Sequence, residues 1–323
     1  GKDEEVLALR PMTCPFQFMI YKNGLKSYRD LPVRYSETAQ EFRKEASGEM
    51  HGLIRIRQFT LSDGHIICTP EQLESEFKGC VDLLNYLLEV LGLKDSVSFR
   101  FSKWDKNDRE KYIGDEKDWE SVQGVMKQIL DHIGLDYVEA DGEAAFYGPK
   151  LDVQSTNVYG KEDTLFTIQI DFALAPRFDM TYVDENGEKK HPFIIHRSSI
   201  GCYERTLAML IEKYAGAFPT WMAPTQVQVM SLTDRTAGYA SDLAREFMSY
   251  GIRAEADIRS EKIGYKIREA QLNKIPYMII IGDKEAEEGV VSVRHRKEGD
   301  IGKMTKEQFL QRILKVIADK TID

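Results

Sequence analysis

Pro219 and Pro224 fall in the segment GAFPTWMAP at 216–224, and the hydrophobic rhythm of the chain differs on its two sides. A proline fixes φ and removes a backbone donor, so two of them this close interrupt any periodic element. After them, short apolar runs alternate with amphipathic stretches. Residues 227–230 read as a strand, and 237–250 as a helix with Tyr239, Leu243 and Phe247 on one face and Gly251 as its stop. A second helix is predicted over 262–273, a strand over 290–293 and a last helix over 306–318, while the unbroken apolar run 277–281 suits a central parallel strand. This alternation predicts a compact α/β domain with a mixed sheet.

The preceding residues carry longer strand-like stretches at 33–43, 53–60, 97–101, 150–158, 165–172 and 193–195, with helical patterns at 70–91 and 119–132. Strands and helices segregated in this way predict an antiparallel sheet backed by helices, and an α+β class for the chain. The expected division is 1–218 for the first domain, 219–224 for a linker and 225–323 for the second, and 42% apolar residues in 323 suffice for two cores. No apolar run approaches the roughly 20 residues that span a bilayer. The charged start GKDEE lacks signal-peptide architecture, so a soluble, cytoplasmic protein is expected. Its four widely spaced cysteines (Cys14, Cys68, Cys80, Cys202) are expected as free thiols. The net charge of −9 divides into +1 for 225–323 and −10 for the rest, which marks the second domain as the better candidate for an anionic partner.

Chemistry concentrates between Phe42 and Cys68, in FRKEASGEMHGLIRIRQFTLSDGHIIC. Over 53–60, Ile54 and Ile56 alternate with Arg55 and Arg57, the period of a strand buried on one side, so the two arginines are expected to point together. The polar loop 44–52 would join it to the strand at 33–43, with Arg43 and Glu45 at the loop's mouth. Guanidinium forks match phosphate oxygens, a carboxylate accepts from an exocyclic amine, and Phe59 offers a flat face to a base. Residue type and spacing alone favour a solvated hairpin with a charged face. By the same measure Cys14, His65 and His196 match no close-spaced zinc motif and read as a buried thiol and two satisfied histidines.

Resemblance sharpens both sites. Arg43-x-Glu45, a loop and Arg55-x-Arg57-x-Phe59 resemble motif 2 of the class II aminoacyl-tRNA synthetases, and HRSSIGCYERTLAMLIEKYAG, with Glu204 and Arg205 on a helix after Gly201, resembles motif 3. PMTCPFQF, GLKSYRDLP, GEMHGLIRIRQFT, AAFYGPK, TIQIDF, FPTWMAPTQV and IRSEKIGYKIREAQLNKIPYMIIIGDKE together resemble the threonyl-tRNA synthetase family, in order and along the whole chain. The resemblance implies a class II catalytic domain followed by an anticodon-binding domain, and an ATP-dependent ligase that joins threonine to its tRNA. It implies that Cys14, His65 and His196 hold Zn2+, whose open position takes the amine and hydroxyl of threonine and so rejects valine. It further implies Arg43 at the α-phosphate of ATP, Glu45 at the adenine amine, Arg55 at the γ-phosphate, and Phe59 with Arg205 about the base. Mg2+ accompanies the ATP. Asp63 would take the threonine hydroxyl, Tyr147 and Lys150 would lie near its amine and carboxylate, and Gln169 would line the pocket; Arg43, Lys150 and Arg205 would serve the chemical step.

In the second domain the resemblance gives Ser260, Glu285 and Arg294 to the anticodon, with Arg259, Lys262, Lys266 and Arg268 for phosphates or, equally, for a solvated helix face. The family's homodimer is implied too, although motif 1, which builds much of that interface, would precede the start of this chain. The sequence departs from the usual pattern at Lys44 and Ser260, each in place of asparagine, at Leu61, and at Phe16-Gln17 in place of Gly-His. A non-catalytic tRNA-binding relative would share the fold, but it would not need the ATP and metal sets together.

Overall fold

The computed structural model describes residues 6–157 and 160–323. By contacts these form two compact units, 1–209 and 210–323.

The first unit is built on a seven-stranded sheet of order β1-β2-β9-β6-β5-β3-β4. Its strands are β1 (Val33–Phe42), β2 (Gln58–Cys68), β3 (Val97–Ser102), β4 (Val138–Ala140), β5 (Lys150–Thr156), β6 (Glu162–Asp171) and β9 (Phe193–Cys202); β7 (Tyr182–Val183) and β8 (Lys189–Lys190) form a separate small hairpin. All neighbours in the large sheet are antiparallel except β3 and β4. Helices α1 (Cys14–Lys22), α2 (Leu73–Val90), α3 (Glu116–His132) and the one-turn α4 (Leu174–Arg177) accompany it, and α5 (Tyr203–Tyr214) follows β9. The expected antiparallel sheet with helices is thus present, and the α+β class holds.

Helix α1 was not foreseen, yet its cause is visible. Pro15 stands in the first turn, where a missing N–H costs nothing, and Cys14, Gln17, Phe18 and Tyr21 recur at i, i+3, i+4, i+7. Gln17, Phe18 and Tyr21 are buried, and Phe18 and Tyr21 join Leu31, Ile67, Leu174, Met180 and Ile194 in one core. Helix α2 shows the same logic over four turns, burying Leu73, Phe77, Cys80, Val81, Leu84 and Leu88.

The expected strand at 53–60 needs correction. Residues 52–54 form a turn, closed by Ile54 N and Arg55 N donating to His51 O (2.9 and 3.2 Å) within an isolated antiparallel bridge of His51 with Arg55, and β2 begins only at Gln58. Gly52 at φ +48° starts this turn, so the Ile/Arg alternation reflects a folded loop and not a pleat. Strand β9 in turn runs to Cys202, well past the expected end at 195. Of the predicted strand 150–158, the described part ends at Thr156, and Val158 lies outside the described residues.

The second unit carries a five-stranded mixed sheet, order β11-β10-β12-β13-β14, from β10 (Val227–Ser231), β11 (Ala254–Asp257), β12 (Tyr277–Ile281), β13 (Val290–His295) and β14 (Gly299–Thr305). Strand β12 is central, parallel to β10 and antiparallel to β13, in keeping with its unbroken apolar run. Helices α6 (Ala237–Ser249), α7 (Ile263–Leu272), α8 (Asp283–Glu288) and α9 (Lys306–Ala318) complete the unit, with Leu243, Phe247, Phe309 and Ile313 in its core. Among the described residues no helix is long and apolar enough to cross a membrane. All four cysteines are free thiols.

Candidate active site and metal centre

A cleft of 1210 Å³ opens in the first unit, along β1, β2, β6 and β9. Its lining includes Cys14, Arg43, Glu45, Arg55, Phe59, Asp63, Tyr147, Gln169, His196 and Arg205, so residues spread over nearly 200 positions of sequence share one surface. Fully buried His65 is not part of this lining, and neither is Lys150. Its ammonium turns to Asp152, 2.8 Å away and buried, which also accepts from Ser102 and Thr167 (2.8 and 2.9 Å).

At one end of the cleft the thiol of Cys14 and the imidazoles of His65 and His196 converge. Their candidate ligand atoms lie within 4.8 Å of one another, with His65 Nε2 at 3.1 Å from Cys14 Sγ and 2.9 Å from His196 Nδ1. His65 and His196 are directly paired residues of β2 and β9, so sheet register brings them together. The start of α1 supplies the cysteine. Each imidazole is oriented from behind: His65 Nδ1 by Gln17 Oε1 at 2.7 Å, His196 Nε2 by Asp171 Oδ2 at 2.8 Å. Phe18 packs edge-on against both rings. Burial opposes charge on His196, but hydrogen bonds and the charges of Asp171 and Cys14 outweigh it and raise its pKa to about 10. Burial, with His196 and Arg197 nearby, pushes His65 well down, so it stays neutral. A soft sulfur, two imidazoles and an outer partner for each ring make a donor set suited to zinc.

Beside this trio, Tyr147 stacks on His196 with ring centres 4.6 Å apart and hydrogen-bonds through its hydroxyl to Gln169. Gly148 allows this placement: a Cβ there would lie 1.7 Å from the carbonyl oxygen of Ile170. Burial raises the Tyr147 phenol well above its usual pKa, so it remains a donor. Asp63 accepts from the Thr13 hydroxyl and from Gly64 N at 3.0 Å. Burial lifts its pKa, against the pull of those hydrogen bonds.

Arg43, Arg55 and Arg205 line the same cleft. Arg43 donates to Pro11 O (3.2 Å) and to buried Glu41 (2.9 Å), and its guanidinium lies 5.0 Å from the centre of the Phe59 ring. Arg55 pairs with the Glu45 carboxylate at 2.8 Å, while Arg57 reaches the Glu45 carbonyl at 3.1 Å, so the two do converge, through a turn and not a pleat. Arg205 donates to Ile54 O and Thr164 O at 3.0 and 2.8 Å, and Glu204 beside it accepts twice from Thr60 N. These bonds fasten α5 to the turn and to β6. Gly201 makes the junction possible, with φ at +66° and the Leu165 carbonyl only 2.4 Å from where a Cβ would stand.

Sequence reasoning passed over Thr13, Gln17, Glu41, Asp171 and Arg197. Gln17 had a signal in the i, i+3, i+4, i+7 face of α1, and Thr13 is the residue just before that helix. The other three owe their place to sheet register, which one sequence does not display.

In the second unit Glu285 accepts from Gly282 N and Ser292 (3.1 Å each) and pairs with Lys303 at 2.8 Å, and the Lys303 ammonium leads the causes that hold its pKa down to about 2. Arg294 is two residues beyond Ser292 on β13, and Ser260 is exposed in the loop before α7. Arg259, Lys262 and Arg268 are exposed as well. Lys266 is not: it is 1% exposed, and its ammonium donates to Ser231 O and Asp257 O at 2.9 and 3.0 Å. Carbonyls at the ends of β10 and β11 thus hold the buried ammonium, and Lys266 lies on neither a phosphate surface nor a solvated face.

A family model for the tRNA synthetase class II core domain (G, H, P, S and T) matches residues 1–214, and one for an anticodon binding domain matches 226–316. The threonine–tRNA ligase of Clostridium perfringens is 63% identical over 319 residues, covering 99% of this chain and 50% of that protein. The one of Geobacillus kaustophilus is 47% identical over 319 residues, 98% of this chain and 49% of that protein. The chain thus spans about half the length of the curated relatives it matches. A crystal structure of the RNA binding domain of threonyl-tRNA synthetase from Cryptosporidium parvum superposes with a TM-score of 0.88 at 32% identity, covering 97% of this chain and 77% of that one. With the motif 2 and motif 3 residues gathered in one antiparallel-sheet cleft and an anticodon-binding domain after it, the chain belongs to the class II tRNA synthetases.

Proposed function

We propose that this chain is the catalytic and anticodon-binding part of a threonine–tRNA ligase, which activates threonine with ATP and passes it to the 3′ end of its tRNA. The observation that carries the reading is the adjacency of three sets in one cleft: Cys14, His65 and His196, then Asp63, Tyr147 and Gln169, then the arginines. Bound at the trio, Zn2+ would supply a coordination position for the amine and hydroxyl of the amino acid.

The chain's own groups do the rest. Asp63 accepts the substrate hydroxyl. Tyr147, kept protonated and held by Gln169, packs against the amino-acid end. Arg43 meets the charge that grows on the α-phosphate as the carboxylate attacks in line, Arg55 holds the γ-phosphate of Mg2+-bound ATP, and Glu45 reads the adenine amine between Phe59 and Arg205. Lys150 would act on the carboxylate only after leaving Asp152. Ser260, Glu285 and Arg294 face the anticodon, where mixed charge suits the reading of unpaired base edges. Residues 219–224 serve as linker, and the homodimer and cytoplasmic location of the resemblance belong to the same reading.

The test is amino-acid-dependent ATP–pyrophosphate exchange with threonine, serine, valine and proline, with zinc quantified in the same sample. Exchange with threonine and not valine, at about one zinc per chain, supports the ligase. Zinc retention without any exchange would turn the reading towards a tRNA-binding relative.

A further inference from the structure

Thr13 occupies the N-cap of α1, where a threonine hydroxyl ordinarily accepts from a backbone N–H of the first turn. It makes no such bond. Its φ and ψ of −96° and −25° are helical, it has no exposed surface, and its hydroxyl proton goes instead to Oδ2 of Asp63, 50 positions away. Gly64 N holds Oδ1 of the same carboxylate at 3.0 Å. One donor on each oxygen fixes the carboxylate plane, and Asp63 lines the cleft.

We propose that Thr13 is a positioning residue that sets amino-acid specificity by holding Asp63 as a fixed hydroxyl acceptor in register with the metal trio. This rests on the reading of Asp63 as the acceptor for the substrate hydroxyl. A carboxylate free to rotate about χ2 finds other partners when the incoming side chain lacks a hydroxyl. One locked by Thr13 and Gly64 is left with an unpaired, desolvated lone pair, and a buried polar site rejects the isostere by that cost. Thr13 precedes Cys14, so the backbone turn that seats the thiol also seats the hydroxyl holding Asp63.

Thr13→Val removes the donor at nearly constant shape, and Thr13→Ser restores it. In the exchange assay on the purified protein, Thr13→Val is expected to raise KM for threonine about tenfold, the loss of one hydrogen bond to a charged group. KM for ATP and zinc content should stay unchanged. The preference for threonine over valine should fall by the same factor, and Thr13→Ser should recover both. Wild-type threonine KM and valine rejection in Thr13→Val would overturn the proposal, as would zinc loss with equal damage to ATP use, or failure of Thr13→Ser to rescue. Absence of threonine-dependent exchange in the wild type would instead overturn the ligase reading, and this inference with it.

Discussion

The Nε2 of His196 lies 2.8 Å from Oδ2 of Asp171, a carboxylate with no exposed surface that also receives Ala173 N and Leu174 N at 2.9 and 2.8 Å. Two backbone donors immobilise the carboxylate, and the carboxylate in turn aims Nδ1 of the imidazole at the thiol. Asp171→Asn keeps the shape and removes the charge. We expect zinc affinity to fall about 10- to 100-fold, measured by competition with a chromophoric chelator. Unchanged affinity would mean that ring packing alone orients His196.

Gly148→Ala sets a methyl group against the Ile170 carbonyl with no flexible neighbour to give way. The expected cost is about 3 kcal/mol, read as a lowered midpoint in urea. A variant of wild-type stability would show that the segment before β5 can shift.

Arg205 bonds two carbonyls from separate segments as well as lining the cleft. Arg205→Lys cannot reproduce a planar fork that reaches both, so it should behave like Arg205→Ala. Both should lose about 100-fold or more in kcat/KM for ATP in exchange. Near-normal kcat/KM in the lysine variant would reduce the role of Arg205 to charge alone.

Glu285 has its folded pKa lowered to about 2, chiefly by Lys303, below the ordinary carboxylate value. Its contribution to stability is therefore complete above the unfolded pKa of about 4.3 and is lost as pH falls towards 2. Allowing for solvent screening of Lys303, Glu285→Gln should cost about 1–2 kcal/mol at pH 7. The gap to wild type should close between about pH 5 and pH 2 in parallel denaturation curves. A gap independent of pH would assign the effect to the Gly282 and Ser292 hydrogen bonds.

The second unit was the more legible half. Its strands and helices at 227–230, 237–250, 277–281 and 306–318 follow local hydrophobic period, while β11, β14 and α8 escaped. In the first unit the loop at 51–57 misled, because alternating Ile and Arg suit a pleat as well as a loop whose arginines both seek Glu45. The metal trio could not be derived from spacing, since Cys14, His65 and His196 meet through strand register and a helix start. Resemblance supplied them. It did not supply Gln17 or Asp171, whose roles appear only when each ring's second nitrogen is followed to its partner.

Within four residues, Pro11 lends its carbonyl to Arg43, Thr13 its hydroxyl to Asp63, and Cys14 its thiol to the two histidines. The contacts proposed for phosphate, hydroxyl and metal are thus coupled through one short piece of backbone. A substitution that shifts this piece moves all three at once, so specificity for the amino acid and geometry at the nucleotide are not free to drift apart. Altered substrate choice in this cleft is accordingly reached by changes that leave the backbone of residues 11–14 in place, as the isosteric Thr13→Val is expected to do.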